Sequence, residues 1–284
     1  MKKIFFSFFA LLLMSSDSFI PWQGFTHCED PSATSLFAAL TDFEAFRNIH
    51  PIPSKQNYSV EGKMIEFKAS DGNTASAYLV STSQTSNKYL FVFHEWWGLN
   101  QHIKQESDNW AKKLKSVNII ALDLYDGKVA TNRKDAANYM QNTDENRAKA
   151  IIEGALNFVG KDAEIATIGW CFGGGWSLQS SLIAKNQTVG CIIYYGMPEK
   201  DVAKLKTLNT DVLGIFASED KWINTDVVNE FEKNMKAAGK DVTIKSFEGA
   251  HGFANPSNPK YNKDAAKEAQ QLSTDYLQKR FQLS

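Results

Sequence analysis

The chain is poor in cysteine, with three in 284 residues, and this excludes a scaffold built on disulfides. Its formal net charge is only −1, so it lacks the electrostatic footprint of a partner for nucleic acid or an anionic membrane surface. Both phosphate-binding signatures are missing. A G-x-G-x-x-G fingerprint would need glycine where Cys171 stands, and no Gly-Lys-Ser/Thr occurs. A zinc site of the H-E-x-x-H kind fails at His94-Glu95, because Gly98 takes the place of the second histidine. No internal repeat, low-complexity tract or linker divides residues 60–284. The expectation is one large domain without metal or cofactor.

What is present describes an ordered globular chain, 43% hydrophobic and 12% aromatic. Its start is different. Lys2 and Lys3 precede an apolar stretch from Ile4 to Met14, and the small polar run Ser15-Ser16-Asp17-Ser18 follows. That order is a secretory leader, and the apolar stretch is too short to span a bilayer comfortably. Residues 1–18 are therefore expected to be a signal peptide for export to a periplasm, with no stable membrane association once it is removed. Residues 19–59 form an N-terminal extension. Phe37 to Phe46 could be a short helix there, and Asn48 to Asn57, with Pro51 and Pro53, is an irregular lead-in without legible function. The α/β domain is expected over 60–284.

Within that domain, short apolar runs alternate with amphipathic ones. Residues 64–68 and 75–80 flank Ser70-Asp71-Gly72-Asn73, an antiparallel hairpin signal. Strands follow at 89–94, 117–122, 164–168, 189–195, 212–217 and 242–247. Helices are expected at 103–114, 133–140, 145–159, after Cys171, at 227–238 and at 263–281. Such alternation gives a mostly parallel sheet with helices on both faces.

Ligand sites of these sheets lie outside the carboxyl ends of the strands. Strand 164–168 runs into Gly169-Trp170-Cys171-Phe172-Gly173, a G-x-C-x-G turn from strand to helix. This is the nucleophile-elbow pattern with cysteine in place of serine. The helix opening there directs N–H groups at the sulfur and favours thiolate over thiol. Taken alone, the pattern is equally consistent with close packing around a small buried cysteine. Its neighbours decide the matter. Strand 212–217 leads to Glu219-Asp220 and strand 242–247 to His251, so nucleophile, acid and histidine follow in chain order. His251 would serve as base and Asp220, preferred over Glu219, would orient it. His27, His50 and His102 hold no position related to the elbow. Asp226 is better placed than Asp220 to cap helix 227–238. Strand 89–94 ends in His94-Glu95-Trp96-Trp97, where apolar neighbours should bury Glu95 and raise its pKa. The backbone N–H groups of Phe172 and Trp96 are the natural oxyanion-hole pair. Cys191, in an apolar strand, reads as inert core.

Together, His94-Glu95-Trp96-Trp97-Gly98-Leu99-Asn100, Asp123-Leu124-Tyr125, Gly169-Trp170-Cys171-Phe172-Gly173-Gly174, Asp220 and Gly249-Ala250-His251-Gly252-Phe253 resemble the dienelactone hydrolase (carboxymethylenebutenolidase) family. The resemblance runs from about Val60 to Phe281. It implies an α/β-hydrolase fold and the opening of unsaturated lactones through a covalent enzyme ester. Cys171 would be nucleophile, His251 base and Asp220 orienting acid. Glu95 would pair with the resting thiol and activate it as substrate enters, and Trp97 and Tyr125 would line the substrate site. Two arginines that bind the substrate carboxylate in this family have no counterpart: Asp126-Gly127-Lys128 and Ala254-Asn255-Pro256 stand in their places. Arg133, the next arginine along, reads as an exposed helical residue. The expected partner is a small lactone or ester. A carboxylesterase or thioesterase on the same triad is the near alternative, and a non-catalytic ligand-binding protein the distant one.

Overall fold

The computed structural model describes residues 31–53 and 59–283. The leader at 1–18 and Cys28 lie outside the described residues. A compact unit runs from Ser32 to Ser284. Its centre is an eight-stranded sheet in the order β1-β2-β4-β3-β5-β6-β7-β8. The strands are β1 (Lys63–Lys68), β2 (Thr74–Val80), β3 (Lys88–Phe93), β4 (Asn118–Leu122), β5 (Glu164–Trp170), β6 (Thr188–Tyr194), β7 (Val212–Ala217) and β8 (Val242–Phe247). β1 and β2 pair antiparallel as the hairpin signal predicts, β2 pairs antiparallel with β4, and all other pairs are parallel. This is the α/β-hydrolase arrangement. β3, β4 and β7 are apolar almost throughout because helices cover them on both sides.

The covering helices are α3 (Gln101–Leu114), α4 (Arg133–Gln141), α5 (Glu145–Val159), α6 (Phe172–Ala184), the single turn α7 (Val202–Leu205), α8 (Thr225–Ala237) and α9 (Lys263–Arg280). α3 packs with α9 over one part of the sheet, and α5 packs with α6 over another. Side-chain caps fix where they begin. Asn100, Asn132, Asp144 and Asn262 accept from first-turn N–H groups of α3, α4, α5 and α9. At α8 the cap is Asn224, with Asp226 inside the first turn, so the expected capping by Asp226 is corrected by two residues.

The N-terminal segment folds as α1 (Ala33–Ala39), a 3-10 turn (Leu40–Asp42) and α2 (Glu44–Asn48), where one helix over 37–46 is expected from sequence. It lies against the hydrolase body. Ser32, Thr34 and Ser35 hydroxyls all donate to Glu145 at the start of α5. Phe37 and Phe46 are fully buried.

Close packing is most demanding at the β5–α6 junction. A Cβ on Gly169 would fall on the carbonyl of Gly173, one on Gly173 on the carbonyl of Phe93, and one on Gly174 only 2.8 Å from the Tyr194 oxygen. All three obstacles are backbone and cannot swing aside. Gly169→Ala should therefore cost about 3 kcal/mol or more, because overpacking against backbone cannot relax. Gly72→Ala, at a turn with φ of +85° and open space, should cost only about 1–2 kcal/mol. Urea denaturation of the two variants checks the ordering.

Candidate active site

β5 delivers Cys171 and α6 begins with the next residue. Between them Cys171 adopts φ 55° and ψ −120°, a backbone conformation that costs a non-glycine residue about 1–3 kcal/mol. Two backbone bonds hold it there: Cys171 N–H donates to Tyr194 O at 3.0 Å, and Gly174 N–H donates to Cys171 O at 3.0 Å. The thiol is buried, and burial pushes its pKa up, against the opposing pull of His251 and the Phe172 N–H.

Asp220 leaves β7 and His251 follows β8. Their side chains meet, with His251 Nδ1 2.6 Å from Asp220 Oδ2 and both groups buried. The other carboxylate oxygen accepts from the N–H groups of Trp222 at 2.9 Å and Ile223 at 3.1 Å. Burial alone would raise the Asp220 pKa, but His251 and these two donors outweigh it and hold the carboxyl below its usual value. Burial opposes charge on His251, yet Asp220 and Cys171 together raise its pKa well above that of a free imidazole. Its Nε2 is buried and makes no hydrogen bond among the described residues. Glu219, the competing acid, is exposed.

Glu95 lies in the loop leaving β3. Burial raises its pKa to about 7, as the apolar surroundings predict. Its hydrogen-bond partner is not the thiol, however: Asn255 Nδ2 donates to Glu95 Oε2 at 2.5 Å. Asn255 Oδ1 in turn accepts from the N–H and hydroxyl of Ser257, which fixes the amide orientation. Asn255 belongs to the segment Ala254-Asn255-Pro256, where the resemblance implies an arginine, and it gives Glu95 a neutral donor.

The thiol instead meets a residue that the sequence offers no reason to choose. His50 Nε2 lies 3.5 Å from Cys171 Sγ. This corrects the expectation that His50 holds no position related to the elbow, and it gives the extension, where the sequence shows no legible function, a residue in the site. α2 ends two residues before His50, whose Nδ1 donates to Phe46 O at 2.8 Å. Its ring packs 4.3 Å from Trp96 and 5.0 Å from His251. Arg133, expected to be exposed, is half-buried and donates from Nε to the His50 carbonyl at 2.8 Å. Burial, with the neighbouring His251 charge, lowers the His50 pKa to about 3. One donor atom from each of His50, Cys171 and His251 lies within 4.8 Å of the others, a set chemically suited to a thiophilic cation as well as to proton transfer.

A cavity of about 20 Å³ opens at the sulfur, lined by residues including His50, Pro51, Glu95, Trp96, Trp97 and His251. Phe172 is the first residue of α6, where a helix leaves N–H groups uncommitted, and Trp96 follows Glu95 in the β3 loop. Tyr125, expected at the substrate site, stands in the turn after β4. Its ring lies 5.3 Å from Phe172 and 4.7 Å from His94, and it lines a separate cavity of about 150 Å³.

The profile of the Dienelactone hydrolase family matches residues 75–281, and the chain belongs to that family of hydrolases. Among curated relatives, Protein usf of Aquifex pyrophilus is 28% identical over 206 residues, covering 68% of this chain and 87% of that protein. A protein of Aquifex aeolicus, provisionally named a carboxymethylenebutenolidase, is 27% identical over 231 residues, covering 76% and 97%. Of solved structures, a dienelactone hydrolase-like promiscuous phosphotriesterase from metagenomic libraries shares the fold, with a TM-score of 0.65 at 16% identity over 76% of this chain and 97% of its own.

The buried neutral imidazole makes docking of the N-terminal segment sensitive to pH. His50 binds its proton near pH 6.5 when undocked and near 3 when docked. Between these values the undocked state holds more protons, so docking weakens as pH falls through that window, by roughly 2 kcal/mol at pH 5. Amide hydrogen exchange of residues 33–50, corrected for intrinsic rate, should show lower protection at pH 5 than at 7.5. His50→Gln should flatten the difference.

Proposed function

We propose that this hydrolase opens lactones or cleaves activated esters through Cys171, and that it works after export to a periplasm. The observation that carries the reading is the buried Asp220–His251 pair, 2.6 Å apart, turned toward a cysteine at a strained strand-to-helix elbow. Each part has a task. His251 takes the Cys171 proton as sulfur attacks the acyl carbon, and Asp220 stabilises the imidazolium that results. The N–H groups of Phe172 and Trp96 receive the oxyanion. The imidazolium then protonates the leaving oxygen as the acyl–oxygen bond breaks. Neutral His251 next takes a proton from the water that attacks the acyl–sulfur bond and returns it to the departing sulfur. Glu95, a buried carboxyl that titrates near neutrality, is the second acid–base group of the site.

The substrate preferred here is neutral. No lysine or arginine is among the described residues that line the cavity, and the lining includes the Glu95 carboxyl. That favours an uncharged lactone or ester over the carboxylate-bearing lactones implied by the family resemblance. A thioester would fit the same chemistry.

Hydrolysis of a dienelactone and of a p-nitrophenyl acetate-type ester, by wild type and Cys171→Ala side by side, tests the proposal. Turnover of the neutral ester that vanishes in the variant is expected. Asp220→Asn should lower kcat roughly 10³-fold or more while the fold is kept, since the base loses its orienting charge. Glu95→Gln should lower kcat and remove a titration near pH 7 from the rate profile. Ester turnover that survives in Cys171→Ala would overturn the assignment of the nucleophile.

A further inference from the structure

His50 faces Cys171, and the chemistry just described gives it no task. Its protonation pattern is fixed by its partners. The Phe46 carbonyl can only accept, so Nδ1 carries the hydrogen, and Nε2 presents a lone pair to the sulfur 3.5 Å away. A neutral thiol can donate to that lone pair, and a thiolate cannot. The bond therefore stabilises the uncharged form of Cys171. The alternative acceptor is His251, which has a ring nitrogen within 4.8 Å of the same sulfur and whose buried Nε2 has no hydrogen-bond partner among the described residues.

The segment that carries His50 also fills the site. The cavity of about 20 Å³ admits about one water molecule, and His50 and Pro51 form part of its wall. Substrate pockets ordinarily measure about 300–1,000 Å³. An acyl substrate and a docked His50 cannot both occupy the space above the sulfur. The polar ties that hold the segment are the Ser32, Thr34 and Ser35 hydroxyls on Glu145, Gln141 Nε2 on Asp42 at 2.7 Å, and Arg133 on the His50 carbonyl. These polar contacts exchange for water at little cost, so the burial of Phe37 and Phe46 is the main contribution that withdrawal must overcome.

We propose that His50 is the resting partner of the nucleophile. Its Nε2 accepts the Cys171 S–H while residues 32–53 cover the site, and the segment withdraws as substrate enters, releasing the thiol to His251. On release the S–H proton passes to His251 Nε2, leaving a thiolate beside an imidazolium that Asp220 holds. The proposal rests on Cys171 as nucleophile. His50 acts through the sulfur and is a positioning residue.

Alkylation of Cys171 by iodoacetamide across pH tests this, with Cys171→Ala as the labelling background. The charged or titratable groups around the thiol are His251, Glu95, Tyr125 and Tyr195, and Asp220 and Arg133 act on His50. All stay in place in the variants compared first. His50→Phe keeps a ring over the sulfur but cannot accept a proton. It should move the midpoint of alkylation to lower pH, and labelling at pH 7 should quicken about tenfold for every pH unit by which the midpoint falls. His50→Gln, whose amide oxygen can accept the S–H, should stay near wild type. An unmoved midpoint in a folded His50→Phe protein, or equal movement in both variants, would overturn the proposal and leave His50 as a mere cover. If His50→Phe does not fold, Arg133→Ala decides by the same rule, with a smaller displacement expected in the same direction. Alkylation reports on the thiol without turnover. A lowered midpoint in a protein that hydrolyses no ester would therefore count against the ester chemistry and not against His50.

Discussion

Everything in the site depends on the close approach of α6 to the end of β5. Gly169, Gly173 and Gly174 let helix and sheet backbones meet where no side chain could fit, and that contact forces Cys171 into a positive φ. The strain is offset by the parallel neighbours. β6 supplies the Tyr194 carbonyl for the Cys171 N–H, and β3 supplies the wall against Gly173. An elbow of this kind does not survive outside a completed sheet. The placement of Cys171 is thus a property of β3, β5 and β6 as a unit rather than of a local sequence motif.

Around the elbow, burial sets the direction of every titration and specific partners decide which groups escape it. Desolvation opposes charge on Cys171, Glu95, His50, Asp220 and His251 alike. Only Asp220 and His251 reverse it, because each offers the other a charge and a short bond. His50 has a backbone carbonyl and no carboxylate, so its imidazole stays neutral. Of two histidines about 5 Å apart, therefore, only His251 is placed to hold a proton taken from sulfur.

The sheet was legible because its strands are apolar runs and its helices carry periodic apolar faces, signals local to each element. The elbow and the strand-end acid and histidine were legible for a related reason. Topology places the carboxyl ends of parallel strands together, so residues far apart in sequence share an address. His50 has no such address. It follows a five-residue helix in a segment with no strand to fix its position, and reaches Cys171 across 121 residues through packing of Phe37 and Phe46. Asn255 was hidden for a different reason: a neutral amide carries no charge signal, and its bond to Glu95 appears only when the loops after β3 and β8 fold against each other. Tyr125 shows the converse. Its place after β4 is legible from the topology, but its packing 5.3 Å from the Phe172 ring is not.

The proposed preference for a neutral substrate follows from the same replacement. Where an arginine would hold a substrate carboxylate, Asn255 instead donates to Glu95 and uses its remaining oxygen on Ser257. A carboxylate entering this cavity would meet the buried Glu95 carboxyl, with no lysine or arginine on the described wall to compensate. Such a carboxylate would bind with uptake of a proton by Glu95, so its affinity should fall as pH rises above 7. An uncharged acyl group meets no such barrier, and Trp96 and Trp97 offer it aromatic surface. Under the proposed function, substrate choice rests less on the triad, which any ester could use, than on the neutral amide that Asn255 presents to Glu95.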